Sequence, residues 1–276
     1  MITISVALVA VLFLMGALAG TLGALLGLGG GIFLVPFLVL VLHVPMHLAV
    51  GTSLTTVIAT STVVSAGRLG RQLVNLRLGM LLEVATTLGG LTGGVVAATI
   101  PPHVLQRVFG VVAGISALMM FRRLDRRNVI LDPSADPGRL GGRYHEDESG
   151  GEVTYRVKRI PVGMGVSFVA GSISSLLGVG GGIIKVPALN GWCGVPLRAA
   201  AATSAFMIGV TATTGAIIYY GRGDIVPWMS ASTVLGVLLG SRLGMAVSEK
   251  ARAKPLKLLL AIVLCFVCVL MFVRAR

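Results

Sequence analysis

Runs of roughly twenty apolar residues, separated by short polar or glycine-rich breaks, recur from one end of this chain to the other. Each run is long enough to cross the hydrocarbon core of a bilayer as a helix. The pattern predicts spans at about 4–28, 48–66, 79–100 and 103–121, then 161–179, 198–220, 225–247 and 253–273. Two shorter apolar stretches, about 31–42 and 182–189, read as half-helices or re-entrant segments. No series of alternating ten-residue segments suggests an outer-membrane barrel. The expected fold is an all-α polytopic membrane protein with glycine-broken helices. It has about eight transmembrane helices, or ten if the two short stretches also cross.

The runs come in two matching sets. Leu25-Leu26-Gly27-Leu28-Gly29-Gly30-Gly31-Ile32, followed by Pro36, returns as Leu176-Leu177-Gly178-Val179-Gly180-Gly181-Gly182-Ile183, followed by Pro187. The spacing of 151 residues, from 31 to 182, then holds without insertion. Gly20 meets Gly171, Pro45 meets Pro196, Thr52-Ser53 meets Thr203-Ser204, and Gly89 and Gly93 meet Gly240 and Gly244. The reading is two homologous four-helix repeats, 1–123 and 159–276, about a pseudo-two-fold axis.

Residues 124–158 lie between them as a charged linker, with Arg122, Arg123, Arg126 and Arg127 on one flank and Arg156, Lys158 and Arg159 on the other. Its prolines, glycines and acidic group predict a mobile segment. The basic flanks place it in the cytoplasm. With eight spans both termini share that face, which suits Arg274 and Arg276 but puts Lys250, Arg252, Lys254 and Lys257 outside. Ten spans would remove that conflict and invert the halves. Length favours eight, with the short stretches left re-entrant.

Composition narrows the class. Charged residues are 12% of the chain and hydrophobic residues 55%, against about a quarter charged in soluble domains. The net charge of +13 comes from residues at the ends of apolar runs, as retention on one side of a membrane requires. No basic and aromatic interleaving points to nucleic acid. The first apolar run lacks a basic leader and a small-residue cleavage site, so it reads as a retained span in a multi-pass protein of the cell membrane. Cys193, Cys265 and Cys268 form neither a disulfide framework nor a metal set, and no metal or cofactor is expected. No phosphate-binding loop, nucleophile elbow or metal-protease pair is present, which argues against an ATP-driven pump and an enzyme.

Candidate chemistry centres on the glycines. A helix beginning after Gly29-Gly30-Gly31 or Gly180-Gly181-Gly182 presents unpaired N–H groups and the positive end of its dipole. Aimed into a protein cavity, that end attracts an anion. The competing reading is close helix packing, which is preferred for Gly89, Gly93, Gly240 and Gly244. Lys185, three residues past the second triplet, costs about 2.5–3.5 kcal/mol near a bilayer centre and therefore marks a candidate anion ligand. Its counterpart at position 34 is leucine. Thr52, Ser53, Thr203 and Ser204 can donate to an oxyanion or cap the helices they are expected to begin. Arg71, Arg222, Asn190 and Trp192 are candidates for an entrance. Glu83, an acidic residue inside an apolar run, can couple protons or complement a helix start. His43, His47 and His103 lack metal-ligand spacing.

The doubled Leu-Gly-x-Gly-Gly-Gly segment with its proline, the Thr-Ser after each copy and the charged central loop together resemble the sulfite exporter TauE/SafE family, also called the toluene sulfonate uptake permease family. The resemblance covers about 10–123 and 160–274. It attaches to Gly27, Gly29, Gly30, Gly31 and Pro36, and to Gly178, Gly180, Gly181, Gly182 and Pro187. It implies a secondary transporter for a small sulfur-containing anion such as sulfite, a sulfonate or sulfoacetate. Access would alternate as one repeat rocks against the other. Lys185 rests on the physical argument alone. An anion channel, or a membrane subunit acting through a partner at the central loop, is the alternative. The partners expected are the anion and lipid, without nucleic acid, and self-association into a homo-oligomer is left open.

Overall fold

The computed structural model describes residues 6–27, 29–69, 73–121, 130, 136–146, 151–248, 265–271 and 273. Within them lie nine helices of ten residues or more and one β-hairpin. The helices of the first part are α1 (Val6–Leu26), α2 (Gly31–Leu40), α3 (Met46–Leu69), α4 (Leu76–Thr99) and α5 (Pro102–Phe121). After the hairpin, β1 (Gly142–Glu146) and β2 (Gly151–Tyr155), come α6 (Ile160–Leu177), α7 (Gly182–Gly191), α8 (Leu197–Gly221) and α9 (Pro227–Ser248). Residues 265–271 are helical again. In hydrocarbon every backbone N–H and C=O must be satisfied within the protein, so long apolar runs become helices whatever their intrinsic propensities. Six of these helices are long and apolar enough to span a membrane. The protein is a multi-pass membrane protein.

The two short helices are not continuations of the spans before them. Gly27, Gly29 and Gly30 have φ of 67°, 84° and 77°, and Gly178, Gly180 and Gly181 have 71°, 85° and 68°. Backbone in that left-handed region is open to glycine and strained for nearly everything else. It lets the chain leave α1 and α6 and turn back. Val44, just past α2, lines a small cavity with Leu8 and Leu12 of α1, so α2 returns to the face where α1 began. Lys158 N–H donates to the carbonyl of Cys193 at 2.9 Å, so α7 likewise returns to the start of α6.

These contacts also orient the spans. The N–H of Asn75 donates to Thr203 Oγ1 at 3.0 Å, joining the starts of α4 and α8. His47 Nε2 lies 3.2 Å from the carbonyl of Ala97, joining the start of α3 to the end of α4. A Cβ on Gly51 would collide with the carbonyl of Asp224, which puts the start of α3 beside the end of α8. Helices α3 and α8 therefore run antiparallel. Helix α1 starts on the face opposite the hairpin, which corrects the eight-span expectation that the N-terminal end shares the linker's face. Helix α9 starts on that opposite face too, since Trp228 and Met229 line the same small cavity as Leu8. It ends on the hairpin's face, and Lys250, Arg252, Lys254 and Lys257 follow it in sequence.

Three helix pairs make the bundle: α1 with α9, α4 with α6, and α3 with α8. The first two are zipped by small residues. A Cβ on Gly16, Gly236 or Gly240 would strike the backbone carbonyl of Thr233, Phe13 or Ala17 across the α1–α9 seam. Gly89, Gly93 and Gly171 meet Phe168, Ser172 and Thr86 carbonyls in the same way across the α4–α6 seam. Lipid offers no hydrophobic drive between helices, so such close backbone approach is what holds them. Many outward-facing side chains are apolar, among them Leu14, Met80, Val84, Ile217 and Leu235.

The described part of the central segment is not the mobile linker that its composition predicts. Strands β1 and β2 pair antiparallel, with Tyr144 opposite Val153. Tyr144, Val153 and Tyr155 are buried in one cluster with Leu78, Leu189 and Val195. Asn75 fixes the arrangement: its Oδ1 caps α4 by accepting from Leu78 N–H at 3.0 Å. Its Nδ2 donates to the Leu140 carbonyl at 2.8 Å and to the Tyr155 hydroxyl at 3.0 Å. Burial pushes the Tyr155 phenol up from its ordinary value, against that hydrogen bond, so it stays a neutral O–H.

Candidate functional site

Both glycine turns arrive at the middle of the α3–α8 pair. Gly30 fits against the Ala19 carbonyl of α1, where a Cβ would come within 2.7 Å, and Gly181 fits against the Ala170 carbonyl of α6, within 2.8 Å. Gly27 abuts the Ala201 carbonyl of α8, and Gly178 the Val50 carbonyl of α3. Each turn is thus held by its own preceding helix and by the crossing helix of the other half. The two turns also touch one another. A Cβ on Gly31 would overlap the Gly178 carbonyl and come within 2.6 Å of Ser53 Oγ. Ser53 donates to that same carbonyl at 2.7 Å.

Helices α2 and α7 begin at this junction. The carbonyl of Gly30 takes the amides of Phe33 and Leu34, and the carbonyl of Gly181 takes those of Ile184 and Lys185. The amides of Gly31, Ile32, Gly182 and Ile183 have no acceptor among the described residues. A crevice lined by Gly23, Gly27, Gly29, Thr60, Ser61 and Ile208 lies beside the first turn. It has no room for a water molecule. The crevice beside the first turn is therefore closed to an anion in this conformation.

Beside the second turn lies a buried ionic cluster drawn from three helices. Lys185 Nζ donates to Thr211 Oγ1 at 3.0 Å, and Thr211 Oγ1 donates to Glu83 Oε1 at 2.8 Å. Glu83 Oε2 is 4.0 Å from Lys185 Nζ, with side chains 9% and 1% exposed respectively. Oε2 accepts no hydrogen bond among the described residues. Thr211 Oγ1 also lies 2.9 Å from the Met207 carbonyl, a second acceptor for its single proton. The ammonium has three donors and the carboxylate several lone pairs, so the cluster is incompletely satisfied. Sequence reasoning offered Glu83 and Lys185 separately. It missed Thr211, whose spacing from Thr60 is the same 151 residues.

The family model described as "Sulfite exporter TauE/SafE" matches residues 12–271. The chain belongs to the TauE/SafE family. One relative of this TauE/SafE chain is the "Probable membrane transporter protein YunE" of Bacillus subtilis, 30% identical over 262 residues, covering 92% of this chain and 93% of that one. Another is the "Probable membrane transporter protein MJ0441" of Methanocaldococcus jannaschii, 23% identical over 272 residues, covering 93% and 92%. A "Probable membrane transporter protein" of Xylella fastidiosa is 27% identical over 243 residues, covering 86% and 84%. No solved structure matches. Family and relatives make this TauE/SafE chain a membrane transporter.

The remaining candidates of the TauE/SafE chain fall in different places. Thr52, Ser53, Thr203 and Ser204 are fully buried, and they stand six or seven residues inside α3 and α8, so they do not cap those helices. Thr203 accepts from Asn75, whereas Thr52 Oγ1 and Ser204 Oγ have no hydrogen-bond partner among the described residues. Glu83 lies two turns inside α4, too deep to complement its start. Asn190 belongs to the last turn of α7, not to a loop, and donates to the Val195 carbonyl at 2.9 Å. Trp192 is exposed. Arg222, at the end of α8, pairs with Asp224 at 3.3 Å and lies 5.7 Å from the Tyr219 ring, far along α8 from the glycine junction. Arg71 lies outside the described residues. Burial raises the Cys193 thiol, which packs as an inert core residue.

Proposed function

We propose that this protein is a secondary transporter that carries a small sulfur-containing anion, of the sulfite or sulfonate type, across the cytoplasmic membrane by alternating access. The observation that supports it is Lys185: a fully buried ammonium at the first turn of a glycine-broken helix, within a bundle otherwise sealed by small residues. A lysine at that depth costs about 2.5–3.5 kcal/mol. Its location next to unpaired amides gives an oxyanion both charge and directed donors. The buried hydroxyls of Thr52 on α3 and Ser204 on α8, which have no hydrogen-bond partner among the described residues, are further donors for it.

The duplication supports the same reading. Helices α2 and α7, α3 and α8, and α4 and α9 begin 151 residues apart, and the antiparallel α3–α8 pair supports an inverted relation between two repeats. Inverted repeats with broken helices at their interface are the architecture of many gradient-driven carriers. On this topology Arg68 at the end of α3, Arg77 at the start of α4 and Arg139 and Arg143 beside the hairpin fall on one face, which supports reading that face as cytoplasmic. The zipped pairs α1–α9 and α4–α6 each take one helix from each half, so the moving units are these mixed pairs, with α2 and α7 shifting against α3 and α8. The closed junction is the occluded stage between two openings.

The test is counterflow in proteoliposomes loaded with sulfite, thiosulfate, sulfoacetate, taurine or sulfate. Saturable exchange with at least one sulfur anion, lost in Lys185→Ala, is the expected result. Conduction without saturation would make the protein a channel, and no flux with any of the five would end the sulfur-anion reading.

A further inference from the structure

The anion reading has an electrostatic difficulty that the structure itself resolves. Glu83 neutralises Lys185 and sits beside the position an anion must take, and two negative groups in a site of low polarity repel strongly. With the carboxylate charged, the cluster has no net attraction for an anion. With a proton on the carboxylate, it carries one positive charge.

We infer that Glu83 is a proton-binding site and that this proton crosses the membrane together with the anion. The inference rests on the transport reading. In the step, a proton from the aqueous side forms an O–H bond to the Glu83 carboxylate, taking the cluster from neutral to +1. The anion then binds at Lys185 and restores neutrality. On the opposite side the anion leaves, the O–H bond breaks and the proton passes to water, which re-forms the pair seen here. The Thr211 hydroxyl is built for both states. While Glu83 is ionised, Thr211 donates to Oε1 at 2.8 Å. Once Glu83 is protonated it can donate to Thr211 Oγ1, whose own proton turns to the Met207 carbonyl 2.9 Å away. No hydrogen bond is lost in the exchange.

Among the described residues, other ionisable groups do not face the carboxyl. Helix α4 packs on α6 and α8. Helix α6 has no ionisable side chain, and those of α8 are Arg198 in its first turn and Tyr219 and Tyr220 in its last. The Tyr219 hydroxyl is directed to the Leu176 carbonyl. On α4 itself, Arg77 is exposed near the start, and the Thr87 hydroxyl is the remaining polar neighbour of the carboxyl. Helix α7, which packs on α5, α6 and α8, contributes Lys185 alone. The ionisable side chains of α5, His103 and Arg107, belong to its first two turns.

The experiment uses methanesulfonate, whose single charge does not change across the working pH range, with the full chain in proteoliposomes. A pH gradient of one unit, acid on the outside, should concentrate methanesulfonate inside about tenfold without net charge movement, as one-to-one linkage requires. Glu83→Gln should lose accumulation by the pH gradient, and whatever methanesulfonate flux it retains should move net negative charge. Accumulation that survives in Glu83→Gln overturns the inference. Should that variant fail to fold, native protein in weakly buffered detergent supplies the second measurement. About one proton taken up per chain on adding methanesulfonate supports coupling, and none refutes it. Native counterflow that ignores the pH gradient removes proton coupling alone. Absence of native methanesulfonate counterflow removes the sulfonate-carrier reading and the inference with it.

Discussion

Two corresponding corners of this bundle hold different chemistry. Where α7, α8 and α4 meet stand Lys185, Thr211 and Glu83. At the positions 151 residues away, on α2, α3 and α9, stand Leu34, Thr60 and Val234. Leu34 is fully buried, and Thr60 turns its hydroxyl back to the Thr56 carbonyl at 2.9 Å. The apolar corner shows that helices of this length, with the same glycine turn, close without any charge. The ionic corner is therefore not a requirement of the fold. A buried pair of this kind is at best neutral for stability against a well-packed apolar replacement, which leaves function as its reason for being there.

The comparison can be broken most severely by removing one charge alone. Lys185→Leu leaves Glu83 buried without its partner and should cost about 3–5 kcal/mol, read as a large drop in thermal stability in detergent. The double variant Glu83→Val with Lys185→Leu copies the apolar corner and should recover most of that loss or exceed the native value, while transport stays absent. A double variant no more stable than the single one would show that the corners are not equivalent. Next comes the junction. Gly31→Val forces a side chain against the Gly178 carbonyl and Ser53, and overpacking of this kind should cost about 1–3 kcal/mol with loss of flux.

Smaller effects sharpen the contrast. Asn75→Ala removes the cap of α4 and both links to the hairpin, at about 0.5–2 kcal/mol. Protease cleavage within the central segment should quicken measurably, and unchanged cleavage would show that the hairpin holds without it. Ser53→Ala deletes a made hydrogen bond and should cost about 1 kcal/mol. Its counterpart Ser204→Ala deletes a hydroxyl with no partner and should change stability by less than about 0.5 kcal/mol. If Ser204 instead serves the anion, its loss appears as a raised KM for counterflow at unchanged stability.

The spans that became α1, α3 to α6, α8 and α9, the two turns and the small-residue seams were legible because each has a local signature: length, glycine triplets, and small residues four apart. The expected span 253–273 lies largely outside the described residues. The direction of the chain was not. A ten-residue apolar stretch such as Gly31–Leu40 can end a span or double back, and only the contact of Val44 with Leu8 and Leu12 decides. The hairpin was hidden because its buried residues, Tyr144, Val153 and Tyr155, are few and surrounded by charges, so composition outweighed a short alternation. Thr52 and Ser53 were taken for helix starts because Pro45 and Met46 carry no cap signature. The cluster itself was half visible. Lys185 and Glu83 announce themselves as charges in apolar runs, but nothing local ties them to each other or to Thr211, which stands 128 residues from Glu83.

The seam between α1 and α9 has a bearing on how the molecule is made. Gly16 is received by Thr233 and Gly20 by Val237, residues synthesised more than two hundred positions later. Helix α1 must therefore wait in the lipid, its notch of small residues unfilled, until α9 has been inserted. The seam that α1 opens is closed only when α9 arrives.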